Sequence, residues 1–149
     1  MASKTSLSDL LKKNLVEKFE SDSVQIKNEL EIAKNDLGSA KKMLAIQEWG
    51  WAHNAAYNAM LQAGRALMFA KGYRPKSQEH HLAVISFIEA VYSSKFSEDL
   101  LRTFSKARLR RNESLYDRAG SISQTQAQSL VQKADLLVEK TLAIIQKFS

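Results

Sequence analysis

Apolar residues in this chain recur in steps of three and four along most of its length, and little interrupts them. Ile26, Leu30, Ala33, Leu37, Ala40 and Leu44 form one such run. Residues spaced this way share one stripe of an α-helix, the stripe a bundle buries. Breakers are scarce, with one proline and five glycines among 149 residues, so helices can run long. No apolar–polar alternation of the strand type lasts more than a few residues. No repeat period of roughly 20 to 50 residues is visible either. The expected class is all-α: an up-and-down antiparallel helical bundle with a core of four to five helices and an N-terminal helical arm.

Six helical segments follow from the periodicity and its punctuation. The first runs from about Ser6 to Glu20, with Ser6 and Asp9 spaced as a capping box. Asp22-Ser23 offers a new N-cap for the second, which continues to about Gln47. Gly38 lies inside that helix at a cost of about 1 kcal/mol relative to alanine. Gly50 is expected to separate it from a third helix over about Trp51 to Lys71, whose Ala52, Ala55, Ala56, Ala59, Ala63, Ala66 and Ala70 give an alanine-lined face. Gly72 reads as its stop, and Tyr73-Arg74-Pro75-Lys76-Ser77 as a loop. A fourth helix spans about Glu79 to Tyr92. Ser97 caps a fifth that reaches about Asp117, and Ser123 with Gln126 opens a sixth that reaches about Phe148. Short links predict antiparallel neighbours. The second, third, fifth and sixth helices are expected to form the core, the fourth to cap one side, and residues 1–22 to be an arm ahead of a bundle over 23–149.

Composition narrows the chemistry. There are no cysteines, which excludes disulfides and thiolate catalysis. Only His53, His80 and His81 could add imidazole ligands, so no metal site and no cofactor is expected. No run approaches the ~18 apolar residues of a membrane span, and the first residues lack the apolar stretch of a secretory leader. A cytoplasmic location is the expectation, with no membrane partner. The net charge of +6 favours acidic partners.

Much of that charge sits in one place. Arg102, Lys106, Arg108, Arg110, Arg111 and Arg118 crowd the fifth segment, opposed there only by Glu113 and Asp117. On a helix, Arg108, Asn112 and Tyr116 share one face. Guanidinium groups fork onto phosphate, the Tyr116 ring can stack on a base, and Asn112 can bond a sugar or phosphate oxygen. The alternative is a solvated basic face with Tyr116 tucked into the bundle edge. Arg74 and His80 form a second, looser Arg–His spacing, and His80 and His81 read as loop or helix-start residues. Trp51-Ala52-His53 reads as an aromatic anchor at a helix end. Phosphate-loop, dinucleotide-binding, zinc-protease and serine-hydrolase signatures are absent.

The order of these features resembles the HEPN family. Glu31 to Leu37 is similar to that family's first bundle helix, and Ala52 to Gly72 to its alanine-rich second helix. Ser77 to Leu82 is similar to its Ser/His loop, and Ala127 to Ile145 to its closing helix. Arg111-Asn112-Glu113-Ser114-Leu115-Tyr116 falls where the family carries Arg, a polar residue, three others and His. The resemblance covers about residues 26 to 147. It implies a homodimer, a minimal nucleotidyltransferase as partner, a prokaryotic toxin–antitoxin setting, and nucleotide or RNA binding through Arg108, Arg111, Asn112, Tyr116 and Arg118.

Tyr116 departs from the family pattern. Histidine exchanges protons near neutral pH, whereas a phenol titrates near 10 and is a poor general base. A non-catalytic binding and interaction protein is therefore expected. The alternatives are a metal-independent endoribonuclease with an atypical Arg-x4-Tyr site (Arg111 and Tyr116) and a purely structural helical oligomer. Tyr116 is also a candidate for modification by a nucleotidyltransferase.

Overall fold

The structure is a computed structural model that describes residues 5–76, 78–116 and 122–147, with the backbone alone over 111–116. Six helices and two short strands follow in chain order: α1 Leu7–Lys12, β1 Val16–Lys18, α2 Ser23–Ala45, α3 Trp49–Lys71, β2 Tyr73–Pro75, α4 His80–Val91, α5 Glu98–Tyr116 and α6 Gln124–Gln146. The all-α bundle is as expected. No helix among the described residues is long and apolar enough to cross a membrane.

The starts of the helices follow the predicted caps. Capping boxes close α1 (Ser6 with Asp9), α2 (Asp22 with Gln25) and α6 (Ser123 with Gln126). The Ser97 hydroxyl accepts from the Leu100 amide at 3.1 Å at the start of α5. Each cap satisfies amides that the first turn leaves without an intrahelical acceptor. Gly72 ends α3 in the left-handed conformation, φ +88°.

Three expectations are corrected. The first helix stops at Lys12, and Asn14 turns the chain with φ 59°. Asparagine tolerates that region better than most residues. The chain then extends as β1, which pairs antiparallel with β2 through Val16–Pro75, Glu17–Arg74 and Lys18–Tyr73. Tyr73–Pro75 is thus a strand rather than a loop; three residues are too few to show alternation in sequence. Second, Gly50 lies inside the first turn of α3, and the break before it is made by Gln47, at φ 63°. Third, α4 is core rather than cap. Its Ala83, Val84, Ile85, Phe87 and Ile88 are all buried, as in a helix that is apolar on nearly every side.

The path of the chain around α3 positions the candidate site. Tyr57 meets His81, Gly64 faces Val84 and Ile88, and the Lys71 ammonium lies 5.7 Å from the centre of the Tyr92 ring. The numbers rise together, so α4 runs alongside α3 in the same direction, a departure from the up-and-down order. α5 runs the other way, with Tyr57 against Phe104 and His53 within electrostatic range of Arg110. α2 and α6 cover the remaining sides of α3. Lys41 of α2 pairs with Asp135 of α6 at 3.4 Å, and Lys133 of α6 with Asp99 of α5 at 3.1 Å.

Candidate anion-binding cleft

α5 carries the predicted basic cluster because its apolar positions are few. Leu100, Leu101, Phe104 and Ala107 are buried, and Arg102, Ser105 and Lys106 face solvent. Arg108 lies between these classes. Its Nε is buried and has no hydrogen-bond partner among the described residues. A buried donor without an acceptor costs about 1–3 kcal/mol, so the atom is suited to an acceptor brought from outside.

Arg108 lines a cleft of about 250 Å³ with Gln78, Glu79, His80, His81 and Leu82. Five of those six residues form the start of α4 and the turn before it. Glu79 is the N-cap residue there, and its side chain makes no capping hydrogen bond. The cleft therefore lies at the positive end of the α4 dipole, where anions are favoured. Among the described residues, Glu79 is the one acidic residue lining it.

His81 is held in place. The buried Tyr57 hydroxyl lies 3.2 Å from its Nδ1, and the two rings meet edge-on at 5.5 Å. Phe104 also packs edge-on against Tyr57, with ring centroids 5.8 Å apart. The Tyr57 hydroxyl either donates to a bare Nδ1 or accepts from Nδ1–H, according to the imidazole tautomer. Either way it fixes the ring that faces the cleft. In the sequence His80 and His81 read only as loop or helix-start residues. They stand 28 and 27 positions before Arg108, and the parallel course of α4 is what joins them to it. Their nearest sequence signal is the resemblance of Ser77 to Leu82 to a family loop.

The remaining predicted site residues distribute as follows. The backbone of α5 is helical through Tyr116, so Arg111 and Asn112 stand one turn beyond Arg108 and Tyr116 about 12 Å beyond it. The side chains of Arg111, Asn112 and Tyr116, and all of Arg118, lie outside the described residues. His53 is not a helix-end anchor. It is buried in the core, its Nδ1 has no partner among the described residues, and burial, aided by Arg110, pushes its pKa down to about 4. Trp51, two residues earlier, is 66% exposed. Among the described residues, no three His, Asp or Glu side chains gather as a metal site would require.

Comparison with known proteins places the fold. The solved structure of TT1696 from Thermus thermophilus matches with a TM-score of 0.62 at 18% identity, over 80% of this chain and 97% of that one. No curated protein matches. The model of the HEPN domain matches residues 26–144, from the first turn of α2 to the last of α6. With that span covering α2 to α6, the chain belongs to the HEPN domain family, whose members are generally tied to nucleotides and RNA.

Proposed function

We propose that this protein binds a nucleotide or RNA through a phosphate seated between Arg108 and the start of α4. The observation that carries the reading is the buried Arg108 Nε on the cleft wall, with no acceptor among the described residues. A phosphate oxygen is the acceptor such a guanidinium fits best. The N-terminus of α4 adds positive potential and the two imidazoles can add N–H donors, while the Glu79 carboxylate opposes an anion, which favours one held to one side of the cleft. The ligand then follows the backbone of α5 toward Arg111, Asn112 and Tyr116, with Arg118 next in sequence as a further predicted contact. In this reading the protein is a non-catalytic interaction module: a homodimer paired with a minimal nucleotidyltransferase, as in toxin–antitoxin systems.

The test is titration of the full chain with AMP and with a short single-stranded RNA. Arg108→Ala should weaken both by about 10- to 100-fold, the loss expected of one charge-assisted hydrogen bond, with the far-UV CD spectrum unchanged. Wild-type affinity in that variant would remove the cleft from consideration.

One observation favours a second reading, a metal-independent endoribonuclease. The Tyr57-held His81 lines the same cleft as Arg108, so an imidazole and a guanidinium are available together even though Tyr116 replaces the family's histidine. RNA cleavage in EDTA that disappears in His81→Ala would support it; intact RNA with wild-type protein rejects it.

A further inference from the structure

The residues ahead of the matched HEPN span are built into the connector that leads to the cleft. That connector has an unusual task. α3 ends at Lys71, yet α4 begins back at the level of Tyr57. The distance from Tyr57 to Lys71 along α3 is about 21 Å at the usual helical rise. Residues 72–79 must cover that length and also step sideways by about 8–10 Å to the axis of α4. The nine Cα steps from Lys71 to His80 reach about 30 Å when extended and only about 14 Å when helical, so a helical connector could not make the span, and Tyr73–Pro75 run extended.

Extended backbone needs partners for its amides and carbonyls, and residues 15–21 provide them. β1 pairs with β2 over three residues. At one end the Phe19 amide donates to the Gly72 carbonyl at 2.8 Å, and at the other the Lys76 amide donates to the Leu15 carbonyl at 2.9 Å. The Ser21 hydroxyl donates to the Phe69 carbonyl at 2.9 Å. Arg74 is gripped on two sides: its Nε donates to the Glu17 carboxylate at 2.9 Å, and its guanidinium lies 4.6 Å from the centre of the Phe19 ring. Two three-residue strands are marginal alone. Here they are pinned by Val16 and Leu10, both buried, and by α1 packing on α4. Shortly after this clamp, residues 78–82 supply five of the six described side chains that line the cleft.

We infer that residues 7–21 are a positioning strap, which holds Tyr73–Pro75 of the α3–α4 connector extended and so sets Gln78, Glu79 and His80 in place around the anion. The family match begins at residue 26, so the strap is an addition to the matched bundle. Its role in ligand binding rests on the cleft reading above. Its role in ordering the connector does not.

The experiment is hydrogen–deuterium exchange and AMP titration on the full chain, comparing wild type with Arg74→Ala and Val16→Asp. Arg74→Ala removes the grip at partly exposed positions and leaves the core intact. Val16→Asp places a carboxylate at a buried site and detaches the strand. Exchange at residues 78–82 should speed up several-fold in Arg74→Ala and by tenfold or more in Val16→Asp, with α2, α3 and α6 unchanged. AMP affinity should fall about three- to tenfold, while Arg74→Lys, which keeps a cation beside Glu17 and Phe19, stays near wild type. If exchange rises over 73–76 but not over 78–82, the strap covers the connector without positioning the cleft, and the inference is overturned. Should Val16→Asp unfold the chain, Arg74→Ala decides alone. If wild type binds no AMP, the cleft reading fails, and the exchange at 78–82 still decides whether the strap orders the connector.

Discussion

α2 and α3 have the same length, 23 residues each, and pack on one another, yet they sit in opposite environments. α2 buries only Ala33, Leu37 and Ala40, one narrow stripe of a surface helix. α3 buries residues on nearly every side, among them Ala52, His53, Tyr57, Gly64 and Leu67, because α2, α4, α5 and α6 all pack against it. The same helical ladder therefore carries different burdens. In α2, propensity and solvent decide what a residue does. In α3, the shape and charge of the surroundings decide.

The largest test of that contrast is His53, an ionisable group inside α3. Burial, with Arg110 adding to it, lowers its pKa from 6.5 to about 4. The unfolded chain takes up this proton near pH 6.5, and the folded chain only near pH 4. Between those values the unfolded state holds more protons, so stability falls as pH drops from about 6.5 to about 4 and levels off below. The full loss is about 3 kcal/mol at 1.36 kcal/mol per unit. Denaturant titrations at pH 7 and pH 4.5 should show most of it, and His53→Leu should flatten this part of the pH profile. An unchanged profile in His53→Leu would place the titration elsewhere. Acid sensitivity of this kind would come from α3; burial raises the pKa of Glu29 and Asp36 of α2, which acts in the opposite direction as pH falls.

A mid-helix glycine in each sharpens the comparison at smaller scale. A Cβ built on Gly38 of α2 meets nothing within 4 Å. Gly38→Ala should therefore stabilise the protein by about 1 kcal/mol, the helix-propensity difference. A Cβ on Gly64 of α3 would collide with Val84 Cγ1 and come within 2.9 Å of Ile88 Cδ1. Valine is stiff at χ1, so the clash falls on the packing of α4. Overpacking of this kind costs about 1–3 kcal/mol, which outweighs the propensity gain, and Gly64→Ala should lose about 1–2 kcal/mol by thermal or denaturant melting. A gain at Gly64 would mean that α4 can slide on α3, and the close approach of the two helices would lose its explanation.

The same division explains what could be read from sequence. Ser6, Asp22, Ser97 and Ser123 act on amides within their own first turn, so local order was enough to find them. Gly72 likewise announces its own conformation. β1 and β2 were not legible because they pair residues 55 to 59 positions apart, and Glu17 and Arg74 carry no local mark of each other. α4 looked like a cap because its apolar residues had no visible destination; Gly64, which lets Val84 and Ile88 come close, lies 20 or more positions away. In the site, Arg108 was recognisable as part of a run of charge. His80 and His81 were not, since only the extended connector brings them to it. The alanine-rich face of α3 marked the centre of the bundle, but His53 inside it looked like any histidine at a helix start.

The link between α2 and α3 gives the smallest effect. Gln47 holds φ 63°, a conformation that costs an L-residue roughly 1–2 kcal/mol. At the other end of α3 the same left-handed turn falls to Gly72, which adopts it freely. Gln47→Gly removes the strain but adds backbone entropy to the unfolded chain, worth roughly 0.5–1 kcal/mol in the opposite direction. The side chain is exposed, so no packing is lost. A net gain of about 0.5–1 kcal/mol is expected, with unchanged helix content by CD. A loss instead would show that the Gln47 side chain contributes to the turn, and that the α2–α3 pair is set by its link as well as by the burial that separates the two helices.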